Sequence, residues 1–306
     1  MTASVSYCQE HGITQRRETN LQGKIVFIHG LTPIHTGTGQ SVDVIDLPIA
    51  REKTTGWPMI PGSSIKGVLR DLCNDNTEDF KKAFGPDTAN ASESAGELIF
   101  CDAHLLCMPV RSFFGTFAWV TCPGAIARLA RDYTASGLES PFKPIAEDIG
   151  ENKALVCKDS KIARNNRLVL EDLDFEVKEI DGAENIARKI DELVFENKGS
   201  VAERLAIVNN DTFSAITETC TEVTARIKMN EDTKTVKTGG LWYEEAIPSE
   251  AILWFPIIAT PRNNECAEKL FKFLVNKNIS HIQIGGHASV GRGIVRIIWG
   301  NGNGRD

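Results

Sequence analysis

Short apolar runs with the length of a single strand recur along the chain and alternate with stretches of helical spacing. Residues 24–29, 251–258 and 294–298 are such runs, and turn residues flank several of them. Residues 65–72, 123–135, 186–196 and 266–276 instead place their apolar side chains at the spacing of one helix face. This alternation, interrupted by long polar stretches, predicts an α+β domain with insertions.

The polar stretches set the expected organisation. Residues 74–97 and 136–205 lack a sustained apolar period apart from the helical stretch 186–196, so we expect two insertions within a single domain over 1–306. Later, 221–227 alternates like a strand and 233–242 reads as its return, with turn residues at 230–232 between them. The sequence therefore predicts a β-hairpin over about 221–245.

The net charge of −7 at first argues against a nucleic-acid partner, but its distribution changes that conclusion. Residues 171–203 contain eleven acidic and four basic residues, which accounts for the whole deficit. Residues 153–167 carry five basic residues and one acidic residue. A phosphate-binding surface is therefore compatible with the composition.

Several other classes of protein are disfavoured. No stretch approaches the ~20 apolar residues of a membrane helix, and no secretory signal pattern begins the chain. The eight cysteines form no CxxC pair, so we expect reduced thiols in a cytoplasmic protein. GxxxxGK[ST], GxSxG and HExxH are all absent, and the lack of cofactor motifs argues against a metabolic α+β enzyme.

A serine pair before a basic helical stretch is the first candidate site. Ser63 or Ser64 could cap the helix, and Lys66 and Arg70 then lie on one face, where they would suit successive phosphates of a nucleic acid. The alternative is a capped surface helix whose cations are solvated.

A glycine-rich loop and an isolated acid are the other two candidates. The loop at 285–293 contains Gly285, Gly286, Gly291, Arg292 and Gly293, which could cradle phosphate or form a tight turn. Asp46 lies among apolar residues, so its carboxylate must be hydrogen-bonded or lie at the mouth of a site; a structural turn is the alternative. His35 is close enough in sequence to share that site.

Taken in order, these motifs resemble a known family. They are HTGTG at 35–39, VIDLPIARE at 44–52, PGSSIKGVLR at 61–70, DTKTV at 232–236, GLWYEE at 240–245 and GGHASVGRG at 285–293. Over roughly residues 22–298 the chain resembles the RAMP-superfamily backbone subunits of type III CRISPR effector complexes, in the type III-B (Cmr) form.

The resemblance implies an RRM-like (ferredoxin-like) palm with insertions and a β-hairpin thumb. It implies that copies of the chain line up along a CRISPR guide RNA, together with the other subunits of a type III-B complex, in antiviral defence. It also implies a metal-dependent endoribonuclease that cuts complementary single-stranded target RNA at regular intervals, with a divalent cation, Mg or Mn, as cofactor.

Residue roles follow from the same resemblance. Asp46 matches the cleavage aspartate and is the candidate metal ligand, with His35, Glu244 and Glu245 as candidate helpers. RNA-binding candidates are Ser63, Ser64, Lys66, Arg70, Gly285, Gly286, Gly291, Arg292 and Gly293. Thumb candidates are Arg226, Lys228, Lys234 and Lys237.

Two family alternatives remain open. One is a guide-binding scaffold without cleavage, against which the retained Asp46 argues. The other is a RAMP ribonuclease that processes precursor guide RNA, which would use a histidine elsewhere. We also expect the acidic segment 171–203 to face away from RNA.

Overall fold

The structure is a computed structural model that describes residues 21–40, 44–86, 95–198, 200–230, 232–260 and 264–300. The strands are β1 (Gln22–Gly30), β2 (Met59–Ile60), β3 (Leu98–Phe100), β4 (Ala103–Arg111), β5 (Phe117–Thr121), β6 (Lys153–Val156), β7 (Ala163–Arg164), β8 (Arg167–Leu170), β9 (Leu173–Glu179), β10 (Leu205–Ile207), β11 (Glu222–Met229), β12 (Val236–Ala246), β13 (Ile252–Ala259), β14 (His281–Gln283) and β15 (Ile294–Trp299). The helices are α1 (Gly62–Cys73), α2 (Glu78–Phe84), α3 (Pro123–Ala135), α4 (Asp181–Phe195), α5 (Asn210–Thr219) and α6 (Asn264–Asn276).

A β-α-β-β-α-β unit forms the centre of the molecule. Strands β15, β1, β13 and β4 lie side by side in that order, and each neighbouring pair is antiparallel. Helix α1 follows the first strand of the unit and α6 precedes the last. This connectivity and strand order are those of the ferredoxin-like motif, which confirms the predicted fold class. Residues 112–251 are inserted between its second and third strands.

Both faces of this sheet are covered, as the alternation along β1 shows. Val26 and Ile28 belong to a core that includes apolar residues of α1, α2, α5 and α6. Ile25 and Phe27 belong to a second core that includes residues of α3 and α4. Side chains of a strand point alternately to opposite faces, so the two cores lie on opposite sides of the sheet. None of the described helices combines the length and apolarity needed to cross a bilayer.

The segment 136–205 is more ordered than its sequence pattern predicts. Strands β6 to β9 extend the thirteen-stranded sheet beyond β10, and α4 packs on the second core. These strands are short, and β8 and β9 carry many charged residues, so their periodicity is weak. Helix α5 is likewise absent from the sequence prediction. All cysteines in the described ranges are free thiols.

A two-stranded hairpin, β11–β12, stands outside the large sheet, in the stretch for which the sequence predicts one. Its strands are antiparallel, with Ala225 opposite Tyr243 and Ile227 opposite Leu241. These pairs form an exposed apolar face. The opposite face carries Arg226 and turns towards the body of the protein.

Candidate functional site

Three segments that carry candidate residues meet at one end of the central strands. His29, near the end of β1, pairs with Ile252, where the chain enters β13 from the hairpin. Gly30 pairs with Val295 at the start of β15, directly after the glycine-rich loop. The chain leaves β1 at this same end to form the loop that carries Asp46. The fold therefore brings together the Asp46 loop, the hairpin base and the glycine-rich loop.

The Asp46 carboxylate is oriented by the backbone of the hairpin. The Tyr243 N–H donates to Asp46 Oδ2 over 2.8 Å. The Leu47 N–H donates to the Tyr243 carbonyl at 3.1 Å, and the Glu245 N–H donates to the Leu47 carbonyl at 3.0 Å. The loop thus runs alongside β12 as a short parallel bridge. Within the described ranges, Oδ1 of Asp46 has no hydrogen-bond donor, which leaves that oxygen for a ligand.

Glu245 joins the loop to the hairpin from inside the protein. Its side chain is 3% exposed. Its carboxylate accepts from Arg51 Nη2 at 2.5 Å, Thr221 Oγ1 at 2.8 Å and the Ile49 N–H at 3.1 Å. Every one of these partners belongs to the protein, so Glu245 holds Asp46 in place rather than facing a substrate.

Glu244 lies on the opposite side of β12 and is also fully engaged. Arg226 Nε and Trp242 Nε1 each donate to its carboxylate at 3.0 Å, and His287 Nε2 lies 3.7 Å away. Burial alone would raise the pKa of Glu244. The hydrogen bonds from Trp242 and Arg226, together with His287, outweigh burial and lower the pKa, so Glu244 is a carboxylate at neutral pH.

His35 lies beneath the glycine-rich loop and beside the Asp46 loop. It is 6% exposed, and its Nδ1–H donates to the Glu245 carbonyl at 2.7 Å. That bond places the hydrogen of a neutral imidazole ring on Nδ1 rather than on Nε2. A Cβ on Gly37 would lie 2.6 Å from Nε2, so only glycine fits there.

The glycine-rich loop packs closely on His35. The Gly286 N–H donates to the His35 carbonyl at 2.9 Å, and a Cβ on Gly285 would come within 2.3 Å of that oxygen. Gly285, Gly291 and Gly293 all have positive φ angles. These glycines therefore let the loop turn tightly against the protein. Phosphate binding by this loop stays a prediction.

Arg292 points to the hairpin base. Its Nη1 lies 2.6 Å from Glu222 Oε1 and its Nη2 donates to Thr224 Oγ1 at 3.2 Å. The side chain is only 12% exposed. Together with the Arg226–Glu244–His287 cluster, this pair fixes the polar face of the hairpin on the glycine-rich loop.

Helix α1 begins two residues earlier than a cap at Ser63 would allow. Pro61 is the N-cap residue and no side chain caps the helix, so Ser63 and Ser64 lie inside its first turn. The expectation of a serine cap is wrong, because Asp102 Oδ1 instead accepts the Gly62 N–H at 2.7 Å. A carboxylate of the protein thus occupies part of the anion position that the sequence assigns to phosphate.

The two cations of α1 have different surroundings. Arg70 donates to the carbonyls of Phe84, Gly85 and Pro86, which ties α1 to the end of α2. Lys66 is half-buried. Its burial, and to a smaller extent repulsion from Arg70, lowers the pKa of its ammonium group. The helix starts beside Phe100 and Cys101 at the level of Ile257, about 17 Å along the strands from Ile252. The structure does not bring α1 directly to Asp46.

The thumb candidates also divide into two groups. Lys228, Lys234 and Lys237 are exposed on the outer part of the hairpin. Arg226 turns inward to Glu244 at 3.0 Å. Three lysines are therefore available to an external partner, whereas Arg226 belongs to the hairpin base.

Several residues that hold the site are not predicted from the sequence. Arg51, Glu222 and His287 are the clearest. A titratable residue in a proline-rich or glycine-rich loop is the signal that could have found Arg51 and His287, whereas Glu222 begins a strand and carries no such signal. Glu52 is another, because Arg128 Nη1 lies 2.6 Å and His104 Nδ1 2.7 Å from its carboxylate. Burial would raise its pKa, but hydrogen bonds from His104, Arg128 and Thr55 lower it to about 2.

The described residues do not form a metal cage of their own. Within those ranges, His, Cys, Asp and Glu form no group of three suited to a metal ion. Glu244 and Glu245 are engaged by arginines, which leaves Asp46 as the acid with an unshared oxygen. Such a site fits a cation only if the substrate and water supply its remaining ligands, as is common for Mg²⁺ bound with phosphates.

Comparison with known proteins places this arrangement in a family. The model of the RAMP superfamily matches residues 27–296. The chain is 36% identical over 286 residues to the CRISPR system Cmr endoribonuclease Cmr4 of Pyrococcus furiosus, covering 90% of this chain and 95% of that protein. It is 25% identical over 308 residues to the CRISPR system CMR subunit Cmr4 of Saccharolobus solfataricus, covering 91% and 96%.

Solved structures agree on the fold. The crystal structure of oligomeric Cmr4 from Pyrococcus furiosus matches with a TM-score of 0.73 and 29% identity, over 92% of this chain and 98% of that one. A chain of the type III-B Cmr-beta complex bound to cognate target RNA matches with a TM-score of 0.73 at 24% identity, over 90% and 96%.

Proposed function

This chain belongs to the RAMP superfamily, and on that premise we propose that it is a guide-RNA-binding backbone subunit of a type III-B CRISPR effector complex that cleaves complementary target RNA at regular intervals. One observation carries the proposal. A half-buried carboxylate, that of Asp46, lies at the base of a projecting hairpin; the hairpin backbone fixes one of its oxygens, and the other has no donor among the residues that the structure describes. The identity of 36% to an endoribonuclease over nearly the whole chain supports it.

The reaction needs few groups from the protein. RNA carries its own nucleophile, the 2′-OH, which attacks the adjacent phosphorus while the bond to the 5′-oxygen of the next nucleotide breaks. The products are a 2′,3′-cyclic phosphate and a 5′-hydroxyl. Asp46 can assist by accepting the proton of the 2′-OH while water supplies a proton to the leaving 5′-oxygen, provided that the nucleotide is held in line. We assign the in-line distortion to the β11–β12 hairpin, acting as a thumb.

A divalent cation, Mg or Mn, is the proposed cofactor. Asp46 would be its protein ligand, and the cation would supply charge neutralisation at the scissile phosphate. His35 and the two glutamates do not share this role, because their hydrogen bonds are directed to the loop and the hairpin.

The proposed partners are guide RNA, single-stranded target RNA, further copies of this chain and the other subunits of the complex. The oligomeric state of the relative at 29% identity supports self-assembly. The exposed apolar face of the hairpin and the exposed Lys228, Lys234 and Lys237 are suited to such contacts. We place this assembly in the cytoplasm, as an antiviral defence.

Assembly on a guide RNA tests the proposed function. We expect the mass measured by light scattering to increase in steps of one chain as the guide is lengthened, and the assembled complex to cut a complementary RNA at a constant spacing. Binding of guide and target without cutting would favour the scaffold alternative. Trimming of a longer precursor guide with no effect on the target would favour the processing alternative.

Lys66 and Arg70 are expected to differ when each is replaced by glutamate. Lys66→Glu should weaken guide binding regardless of sequence and reduce the salt slope by about one, because one phosphate contact is lost. Arg70→Glu should instead lower thermal stability, since three backbone carbonyls of the α2 end lose their donor. Binding titrations at several salt concentrations and thermal melts separate the two.

Lys82→Glu on neighbouring α2 is the matched control, since it makes the same charge change on an exposed side chain. If Lys66→Glu and Lys82→Glu reduced binding equally, the effect would be one of net charge and α1 would be an ordinary solvated helix.

A further inference from the structure

The turn between β4 and β5 presents an aromatic ring to solvent. Phe113 is 77% exposed. Its ring meets that of Phe114 edge to face, with centroids 4.9 Å apart and planes at 86°. Phe114 is itself half-buried, so it supports Phe113 from below and leaves one of its sides open.

Arginines flank this ring pair. The guanidinium of Arg164, the last residue of β7, lies 4.8 Å from the centroid of Phe114. Arg164 has no carboxylate partner among the residues that the structure describes, whereas its neighbours Lys161 and Arg167 pair with Glu203 and Asp174. Arg111 is 75% exposed and approaches Glu171 only to 3.4 Å. Exposed pairs of this kind contribute little, so Arg111 can exchange Glu171 for another anion.

The turn is held rigidly in this exposed position. The Ser112 N–H donates to the Thr116 carbonyl and the Phe113 N–H to the Val169 carbonyl, each at 3.0 Å. A Cβ on Gly115 would lie 3.1 Å from the Lys161 carbonyl, so the turn is pressed on the neighbouring segment. Thr116 has a φ of 78°, which is strained for a β-branched residue.

A shallow hollow lies beside the ring. It has a volume of about 290 Å³ and is lined by Arg111, Ser112, Phe113 and Glu171. Arg111 is the arginine that lines the hollow, and Arg164 lies against the supporting ring of Phe114. Proteins use an exposed aromatic ring with arginines nearby to stack an unpaired base and hold the adjoining phosphates.

The turn lies at the end of the sheet that also carries Asp46. Cys107 of β4 pairs with Ile252, at the start of β13, so the last residues of β4 continue beyond that start. This is the end at which the hairpin and the glycine-rich loop meet β1. An RNA strand that passes the hairpin base can therefore continue along the strand ends to Phe113.

We propose that Phe113 stacks on a base of single-stranded RNA while Arg111 and Arg164 bind the neighbouring phosphates, which makes this turn an RNA contact separate from the Asp46 site. The proposal rests on the RNA-binding function proposed above. Stacking does not depend on base identity, so the contact suits guides of any sequence.

The test uses the chain assembled on a guide RNA that carries 4-thiouridine at successive positions, with and without target RNA. We expect irradiation to crosslink the peptide containing Phe113 to RNA. Phe113→Ala should weaken binding of an unstructured RNA by about five- to one-hundred-fold, the loss of one stacked base. Phe113→Trp should bind RNA about as tightly as the wild type, because tryptophan can also stack on a base. Arg164→Gln should reduce the salt slope by about one.

Ile99→Ala is the control, because it truncates an exposed apolar side chain on another strand, and it should bind normally. If Phe113→Ala bound RNA as the wild type does, and the wild-type peptide containing Phe113 gave no crosslink, this contact would be disproved. The RNA-binding function proposed for the chain would not be affected. A variant that binds RNA normally but assembles into smaller particles would also overturn it, since the turn would then contact protein. A wild-type chain that bound no RNA would remove both proposals together.

Discussion

Asp46→Ala should abolish target cleavage by the assembled complex without reducing its affinity for guide or target. Loss of a positioned acid–base group typically lowers a rate by about 10²- to 10⁴-fold. The Asp46 loop would keep its place, because Leu47, Ile49 and Arg51 remain bonded to the hairpin and to Glu245. The measurement is single-turnover cutting at every regularly spaced position, alongside a binding titration.

Asp46→Asn separates the effect of the charge at this position from that of the side chain's orientation. An asparagine oxygen can still accept the Tyr243 N–H, so the variant keeps the orientation of the side chain and loses only its charge. Cutting by Asp46→Asn close to the wild-type rate would show that the carboxylate positions the loop rather than taking part in the reaction. Asp148→Ala, which removes an exposed carboxylate elsewhere, is the control and should cut normally.

The same cleavage assay tests whether a divalent cation takes part in the reaction. If Asp46 is a ligand, the wild-type chain should lose cleavage but retain RNA binding in a chelator, and Mg or Mn should restore it. Asp46→Asn should need a higher cation concentration for half-maximal rate. Undiminished cleavage in the chelator would remove the cation from the proposed mechanism and leave Asp46 to act as a base.

Exchange of the charges of Arg292 and Glu222 should restore what either single change destroys. Arg292→Glu places two acids together and Glu222→Arg places two arginines together, so each should loosen the hairpin and slow cleavage by about ten-fold or more. The double variant rebuilds the pair in reverse. We expect its cleavage rate and its spacing of cuts to return towards those of the wild type.

This double variant decides between two roles for Arg292. An arginine that bound RNA phosphate could not be replaced by glutamate, whatever stood at position 222. If the double variant bound RNA as weakly as Arg292→Glu, the guanidinium would contact the guide and the predicted RNA-binding role would stand. Thermal melting of all three variants establishes that each is folded.

The sequence predicts much of this fold, because most of its elements are long and regular. The apolar run at 24–29 and the helix at 123–135 are read directly from their periods, and the structure has both. The β6–β9 region could not be predicted in this way. Its strands have at most seven residues and β9 is mostly exposed, so tertiary pairing rather than local pattern decides their structure.

The site residues also divide into those that the sequence predicts and those that only the structure shows. A motif marks Asp46 and the glycine-rich loop, because both need a particular residue type at a fixed place. Side-chain pairs between distant segments leave no such mark: Arg292 and Glu222 are seventy positions apart, and Glu245 meets Arg51 across 194. The direction in which each charged side chain points could therefore be learned only from the structure.

The covering of both sheet faces limits how this protein can meet a nucleic acid. Ferredoxin-like RNA-binding domains commonly lay bases on an open sheet face, where side chains read them one by one. Here helices occupy both faces, so only the strand ends, the loops and the hairpin are left for a long polymer to follow. Under the proposed function, we therefore expect the distance between the hairpins of successive copies to determine the spacing of the cuts, and pairing between guide and target to determine the sequence that is recognised.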